Sequence, residues 1–512
     1  MSSTDSPMAS AAPAPARPAF GRLELIAFLS GAIVMVLEIT GSRVLAPFLG
    51  TSVFVWTTLI GIIMASLSLG YWWGGRLADQ APTRSRLAAI LFAACLFATA
   101  TAVLQSSFLS WLQQAALELR TAALLATLVL FAPASTLLGM VTPYIVRLKL
   151  TALEHSGADV GRLYAISTAG SIVGTFACGY FLLAWMGTSR ILYALAFLLL
   201  ALSFVAAVEF RVTHRAAAAM FLLLSAALAE FETQQNAKAG FVDLDTSYQR
   251  LQVVDAREES TGRPVRLLKA EEANTQSAIY LDGDELLTGY LIHFDLARFT
   301  GRPLRRVLMI GAAGCAYPMA LLRAVPQIEV DVVELDPAMT GIAKRYFGLQ
   351  ESPRLRVFHE DGRTFVNRLS RDPSPLYDAI FIDAFQTRVP PFQLLTAEFV
   401  ASLERILAPQ GLVALNLIAR TPRTDAGLAP SVLATFSTGF PALQAFVVDP
   451  KDNPEDIQNL VLFASRTPVR FDVIAWSEAT QRPLPHRLGF SNARGVVLTD
   501  DFAPVEHLVS VR

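Results

Sequence analysis

The sequence predicts an α plus α/β chain: a polytopic helix bundle, then a small antiparallel β domain, then a parallel sheet wound by helices. Three observations carry this. Hydrophobic residues make up 53% of the 512 and charged ones 17%, at a mean hydropathy of +0.45, yet the distribution is split. Residues 21 to 230 hold few acids or bases, whereas the rest has an ordinary soluble composition. Strand and helix patterns then alternate from Arg302 onward, as in a parallel sheet with helices on both faces.

The leader through residue 20 is rich in Ala, Pro and Ser and reads as a disordered tail. The apolar run from Leu23 is too long for a signal-peptide core and lacks a clear cleavage site, so it reads as a first membrane helix. About 20 apolar residues span a bilayer. Spans are expected at 23–48, 53–75, 87–108, 121–146, 162–186, 190–209 and 215–230, giving about seven helices within a membrane domain of residues 21–232. Gly70/Gly74 and Gly170/Gly174 place small residues on one helix face, which permits close packing. Pro133 and Pro143 should kink the fourth span. Glu38 and Arg43 lie in the first span, where charge is costly; a substrate path and a structural ion pair fit equally.

Arg76, Arg84 and Arg86 mark one loop, Arg147, Lys149 and Arg162 a second, and Arg211 and Arg215 a third. All fall on one side, which the charge bias makes cytoplasmic. A full seventh span would then carry the soluble half to the other side. Its apolar stretch, Ala216–Ala229, is only about 14 residues, shorter than a span. The expectation is therefore a multi-pass protein of the cell membrane whose soluble half is cytoplasmic.

Strand patterns at Ser247–Val254, Arg266–Lys269 and Ser277–Leu281, with a turn at Asp282-Gly283, suggest the small β domain, residues 233–300. The larger domain, 301–512, shows strands at 307–311, 329–334, 355–359, 378–383 and 412–417. Helices fall near 315–324, 337–346 and 396–407, and a turn at Pro409-Gln-Gly411.

Ligands of open parallel sheets sit beyond the carboxyl ends of the strands. Here the first strand runs into the small-residue turn Gly311-Ala-Ala-Gly314-Cys315-Ala316, and the next three end at Glu334, Asp361 and Asp383. Such a turn lets a ligand approach the backbone and the following helix N-terminus. Glu334 stands 23 residues after Gly311, the spacing for a carboxylate that accepts ribose hydroxyls. Asp361 suits an adenine amino group, and Asp383 faces whatever the nucleoside carries. As helix caps the three acids fit singly but poorly as a set. A dinucleotide fingerprint fits the turn badly and leaves the later acids unexplained.

Other signals exclude more than they assign. A net charge of −1 gives no nucleic-acid footprint. Cys95, Cys178 and Cys315 are far apart, and no His/Cys/Asp cluster has metal-ligand spacing. His293 and His359 read as structural or solvent-facing. Asp500, Asp501 and His507 read as surface groups, and Asn416 as an acceptor-side contact at a strand end.

These residues resemble the membrane-fused spermidine synthase-like proteins. The resemblance rests on Glu38…Arg43, the segments Gly70–Asp79 and Gly161–Gly170, Ser247-Tyr-Gln249, Leu287-Thr-Gly-Tyr290, Val333–Pro337, Glu360-Asp-Gly362 and Tyr377–Phe385. It implies a Rossmann-like sheet of the methyltransferase/spermidine synthase type. It also implies transfer of an aminopropyl group from decarboxylated S-adenosylmethionine to a polyamine or other amine. On that footing Gln249, Gly311, Gly314, Glu334, Asp361 and Gly362 hold the nucleoside, Asp383 serves the acceptor amine, and Tyr290, Gln386 and Asn416 line the amine channel. No metal is implied. The lipid bilayer and a homo-oligomer are the expected partners. Two departures stand out. Gln386 occupies a position where the synthases carry aspartate, and a neutral amide cannot pair with the far ammonium of a diamine as a carboxylate does. Ala313 and Cys315 stand where glycine is usual, and their Cβ atoms narrow the turn. An S-adenosylmethionine-dependent methyltransferase, and a transporter or sensor with a non-catalytic nucleoside- or polyamine-binding half, remain alternatives.

Overall fold

The computed structural model describes residues 21–50, 52–80, 82–115, 117–149, 156–238, 240–246, 248–271, 274–350, 352–374, 376–384, 390–420, 427–448, 457–489 and 495–510. The leader expected to be a tail, and Gln386, lie outside these residues.

The first half is helical: α1 (Arg22–Leu49), α2 (Val53–Gln80), α3 (Arg84–Gln114), α4 (Leu119–Leu130), α5 (Ala132–Lys149), α6 (Ser156–Ala177), a π turn at Cys178–Leu182 running into α7 (Leu183–Trp185), α8 (Thr188–Ala206) and α9 (Val212–Lys238). Among the described residues six helices are long and apolar enough to cross a membrane, and α4 with α5 forms a bent pair. The bend is 50° and falls at Phe131, just ahead of Pro133, whose missing N–H leaves the Val129 carbonyl without a helical partner. Pro143 lies within α5.

Glycine decides the tightest crossings. Gly70 of α2 lies against Thr136 and Gly139 of α5, and Gly74 against Met140, so a Cβ at either would strike backbone. Gly170 and Gly174 of α6 lie in the same way against Phe28 and Ala32 of α1. Both small-residue motifs are therefore helix contacts, and each joins an early helix to a later one. The seventh segment differs from its sequence expectation. Residues beyond the apolar core of that segment continue the helix at both ends, making α9 27 residues long.

The antiparallel sheet has four strands in sequential order: β1 (Phe241–Asp245), β2 (Arg250–Arg257), β3 (Pro264–Glu271) and β4 (Asn274–Tyr280). The first has no strand signal of its own; it is recruited by pairing Phe241–Asp245 against Val254–Arg250. Leu251, Val253 and Leu268 pack on Met339, Ile342 and Phe347, so this sheet leans on the larger unit.

After α10 (Gly289–Phe294) come β5 (Arg306–Ile310), α11 (Ala316–Ala324), β6 (Glu329–Glu334), α12 (Pro337–Tyr346), β7 (Leu355–His359), α13 (Gly362–Leu369), β8 (Tyr377–Ile382), α14 (Ala397–Ile406), β9 (Leu407–Ala419), α15 (Leu428–Phe436), β10 (Ala442–Val447), β11 (Gln458–Ser465), α16 (Val473–Thr480), β12 (His486–Leu488) and α17 (Val505–Ser510). The sheet order is β12-β10-β11-β9-β8-β5-β6-β7. Strands β5 to β9 are parallel, and β10, β11 and β12 pair antiparallel at one side. The strand order of the parallel part reverses between β5 and β8, the switch point at which such Rossmann-like sheets bind ligands. The turn expected at Pro409-Gln-Gly411 is instead a bulge within β9: Tyr377 pairs with Leu407 but Ala379 with Leu412. Alternate residues of these strands feed two cores, with Leu308 and Ile310 on one face and Val307 and Met309 on the other.

Candidate functional site

A cavity of about 480 Å³ opens at the carboxyl ends of β5, β6 and β8. It is closed on one side by the antiparallel sheet, through Gln249, Thr275 and Gln276. On another side lie Ser52, at the start of α2, and Glu506 of α17. Every sequence-expected site residue within the described set lines it except Gly314: Gln249, Tyr290, Gly311, Glu334, Asp361, Gly362, Asp383 and Asn416.

The turn after β5 explains itself at Gly311. Its φ is +76° and a Cβ would run into the Asp383 carbonyl, while its N–H donates to the Val333 carbonyl at 2.8 Å. Asp383 N–H in turn donates to Ile310 at 2.8 Å, so three strand ends are tied together under the ligand space. Ala313 and Cys315 also adopt left-handed φ, +44° and +56°. The backbone therefore keeps a glycine-type path with residues that pay for it in strain. Gly314 supports the turn from below, where a Cβ would crowd Ser277 and Phe347.

Glu334 accepts from Ala312 N–H at 3.2 Å through Oε2 and from Asp336 N–H at 3.3 Å through Oε1. These bonds aim its carboxylate along the turn and leave further lone pairs toward the cavity. Burial, with the Asp336 carboxylate nearby, pushes its pKa up. Asp361 caps α13, its Oδ1 accepting from Thr364 N–H at 2.9 Å. It is thus both helix cap and cavity wall.

Asp383 sits at the end of β8. Asn416 Nδ2 donates to its Oδ1 at 3.0 Å, and Asn459 Nδ2 donates to Asn416 Oδ1 at 2.9 Å. Asn416 is 2% exposed, so this chain is fixed from behind by the core. The buried Tyr290 hydroxyl donates to the Gln276 carbonyl at 3.2 Å and borders Asp383. Burial pushes the Asp383 pKa up to about 6, opposed by the bond from Asn416 and by the neighbouring Tyr290 hydroxyl. A carboxylate poised near neutrality, held by amides and beside a phenol, can accept a proton from a bound nucleophile.

Sequence reasoning missed Asn459, Gln276, Ser52 and Glu506. Asn459 stands on an antiparallel strand that reaches the site only through its pairing with β9, and Gln276 donates to Gln249 Oε1 at 3.1 Å from a neighbouring hairpin. Neither has a local motif. Of the remaining polar candidates, His293 Nδ1 bonds the Gly289 carbonyl at 2.9 Å, His359 bonds Thr340 at 3.0 Å, and Asp500 bonds Arg363 and Thr396, while Asp501 and His507 are exposed. No group of metal-ligating side chains occurs among the described residues.

Residues 289–465 match the spermine/spermidine synthase domain family. The chain is 34% identical over 127 residues to a polyamine aminopropyltransferase of Vibrio vulnificus, covering 25% of this chain and 42% of that protein. It is 32% identical over 145 residues to the eEF1A lysine and N-terminal methyltransferase of Homo sapiens, covering 27% of this chain and 20% of that one. The chain thus spans less than half the length of these curated relatives. Among solved structures, a probable spermidine synthase from Corynebacterium glutamicum aligns at a TM-score of 0.40 with 20% identity, covering 48% of this chain and 89% of that one. The resemblance to spermidine synthases expected from the sequence holds over this C-terminal part, and the shared chemistry is that of a transferase.

Proposed function

We propose, from a spermine/spermidine synthase domain across residues 289–465, that the chain is a membrane-anchored aminopropyltransferase-like enzyme acting on a polyamine or other amine. The observation that carries the reading is the charge of the cavity wall. Five carboxylates line it, those of Glu334, Asp336, Asp361, Asp383 and Glu506, and no lysine or arginine does among the described residues. Decarboxylated S-adenosylmethionine carries a sulfonium and an ammonium with no carboxylate, and the acceptor is itself an ammonium. An acid-lined cavity attracts both. S-adenosylmethionine brings a carboxylate that meets no lysine or arginine among the described lining residues.

The donor fits the turn. Gly311 leaves the space that a Cβ would fill, Glu334 presents free lone pairs for ribose hydroxyls, and Gln249, Asp361 and Gly362 complete the nucleoside side. The sulfonium makes the attached propyl carbon electrophilic. Asp383 binds the acceptor ammonium and takes a proton from it. The freed nitrogen pair attacks that carbon; the C–N bond forms as the C–S bond breaks, and methylthioadenosine leaves as a neutral thioether. Asn416 holds the Asp383 carboxylate toward the nitrogen with Tyr290 beside it, and positioning supplies much of the rest. The six span-length apolar helices support anchoring in a bilayer.

A second reading, methyl transfer from S-adenosylmethionine, is favoured by the similarity to the methyltransferases. Mass spectrometry of the spent nucleoside separates them. The purified full chain, given either donor and a mixture of amines, should form methylthioadenosine only when an amine is present. S-adenosylhomocysteine would move it to the methyltransferases. Nucleoside binding with neither product would point to a sensor.

A further inference from the structure

The two ends of the helix bundle differ in charge, and the soluble half is docked on the poor end. One end gathers the N-terminus of α1 and the α2–α3, α5–α6 and α8–α9 connections. Glu24 there pairs with Lys149 and Arg162, Arg147 with Asp79 at 3.3 Å, and Thr83 N–H donates to the Tyr144 hydroxyl at 3.0 Å. All three arginine-rich connections lie at this end. The opposite end gathers the α1–α2, α3–α4 and α7–α8 connections and carries fewer basic residues among those described: Arg43, Arg120 and Arg190, with Lys238 at the end of α9.

The soluble half touches the second end. Asp245, at the end of β1, accepts from Thr188 N–H at 3.0 Å, and Glu506 accepts from Val53 N–H at 3.0 Å. A cavity of about 220 Å³ lies in this seam between Arg43, Trp56 and Met186 of the bundle and Asp245 and Tyr248 of the sheet. Gln249 lines both this cavity and the larger one. The connection between the ends is α9. Arg215 anchors its start at the basic end, donating to the Ser203 carbonyl at 2.8 Å and to the Val208 carbonyl at 2.5 Å. Its 27 residues then rise about 40 Å at 1.5 Å each, more than the roughly 30 Å of a hydrocarbon core.

We infer that the arginine-rich end lies against the anionic headgroups of the cytoplasmic leaflet and that the catalytic cavity faces the opposite, non-cytoplasmic side. Loop lysines and arginines set orientation by this bias, and anionic lipid is the complementary surface. The inference rests on the membrane reading given above and not on the reaction. It reverses the orientation expected from the short seventh apolar stretch, because that stretch is the middle of a helix long enough to cross. Its functional consequence is that both cationic co-substrates are drawn from the far compartment, so a transport step must supply the donor nucleoside.

The test places single reporters at the two ends of the full chain. Ser85 at the start of α3 and Ser260 in the β2–β3 turn are both exposed, whereas Cys95, Cys178 and Cys315 are buried. Ser85→Cys and Ser260→Cys are treated with a membrane-impermeant maleimide in sealed right-side-out vesicles, with and without detergent. Ser260→Cys should label in sealed vesicles and Ser85→Cys only after detergent. The reverse pattern overturns the inference. Protection of both, or labelling of both, places the two ends on one side and shows that α9 does not cross. None of these outcomes bears on which nucleoside product forms.

Discussion

Asp383→Asn should separate function from stability in opposite directions. The carboxylate is held at the floor of the cavity with its pKa raised from the ordinary 3.8 to about 6 by burial. Between about pH 4 and 6 the folded chain therefore keeps a proton that the unfolded chain has released. Stability falls as pH rises through that window, and above it the ionised carboxylate costs the fold about 3 kcal/mol at 1.36 kcal/mol per pK unit. Asparagine mimics the protonated form and can still accept from Asn416. The variant should thus be more stable than the parent at pH 8 by about 2–3 kcal/mol, and equal to it at pH 4. For a unit of this size that is roughly 5–9 °C in the midpoint of the soluble half. Turnover should drop by about 10²–10⁴, the usual worth of a positioned base. The parent's kcat/KM should rise with pH through about 6 as Asp383 ionises. Thermal unfolding of the detergent-solubilised chain at both pH values, beside product formation, measures both effects. Turnover within tenfold of the parent, or the same thermal shift at pH 4 and pH 8, would refute the reasoning.

Three further outcomes follow from the same geometry. Gly311→Ala puts a Cβ into the Asp383 carbonyl at φ +76° and should destabilise the soluble half by at least about 1–3 kcal/mol, read by denaturant unfolding. Glu334→Gln leaves one of the Ala312 and Asp336 N–H groups facing an amide NH₂ and should weaken methylthioadenosine binding by about 1–3 kcal/mol, measured by calorimetry. Asp331, 1% exposed, accepts from Arg306 at 3.0 Å, Arg356 at 2.7 Å and the Tyr377 hydroxyl at 2.8 Å. Asp331→Ala strands these donors and should cost about 3–5 kcal/mol, seen as a loss of folded protein with nucleoside affinity per folded molecule unchanged.

What was legible in the sequence is what short-range chemistry encodes. Apolar runs announce the helices long enough to cross a membrane, because about 20 apolar residues in helical form match the thickness of a bilayer. The β-strand/turn/acid pattern announces Gly311, Glu334, Asp361 and Asp383, because a parallel sheet delivers its strand ends to one edge whatever the loops do. Tertiary pairing decided the rest. The weak segment Phe241–Asp245 becomes a strand only opposite Arg250–Val254, and Asn459 reaches Asp383 only through Asn416 across an antiparallel ladder. The length of α9 was also settled there. Its ends are polar, so hydropathy sees only the apolar middle. Helix propagation costs little once a packed segment has nucleated it, so the helix continues past both limits of the apolar run. That continuation, invisible to composition, places the acid-lined cavity at the end of the bundle opposite its three arginine-rich connections.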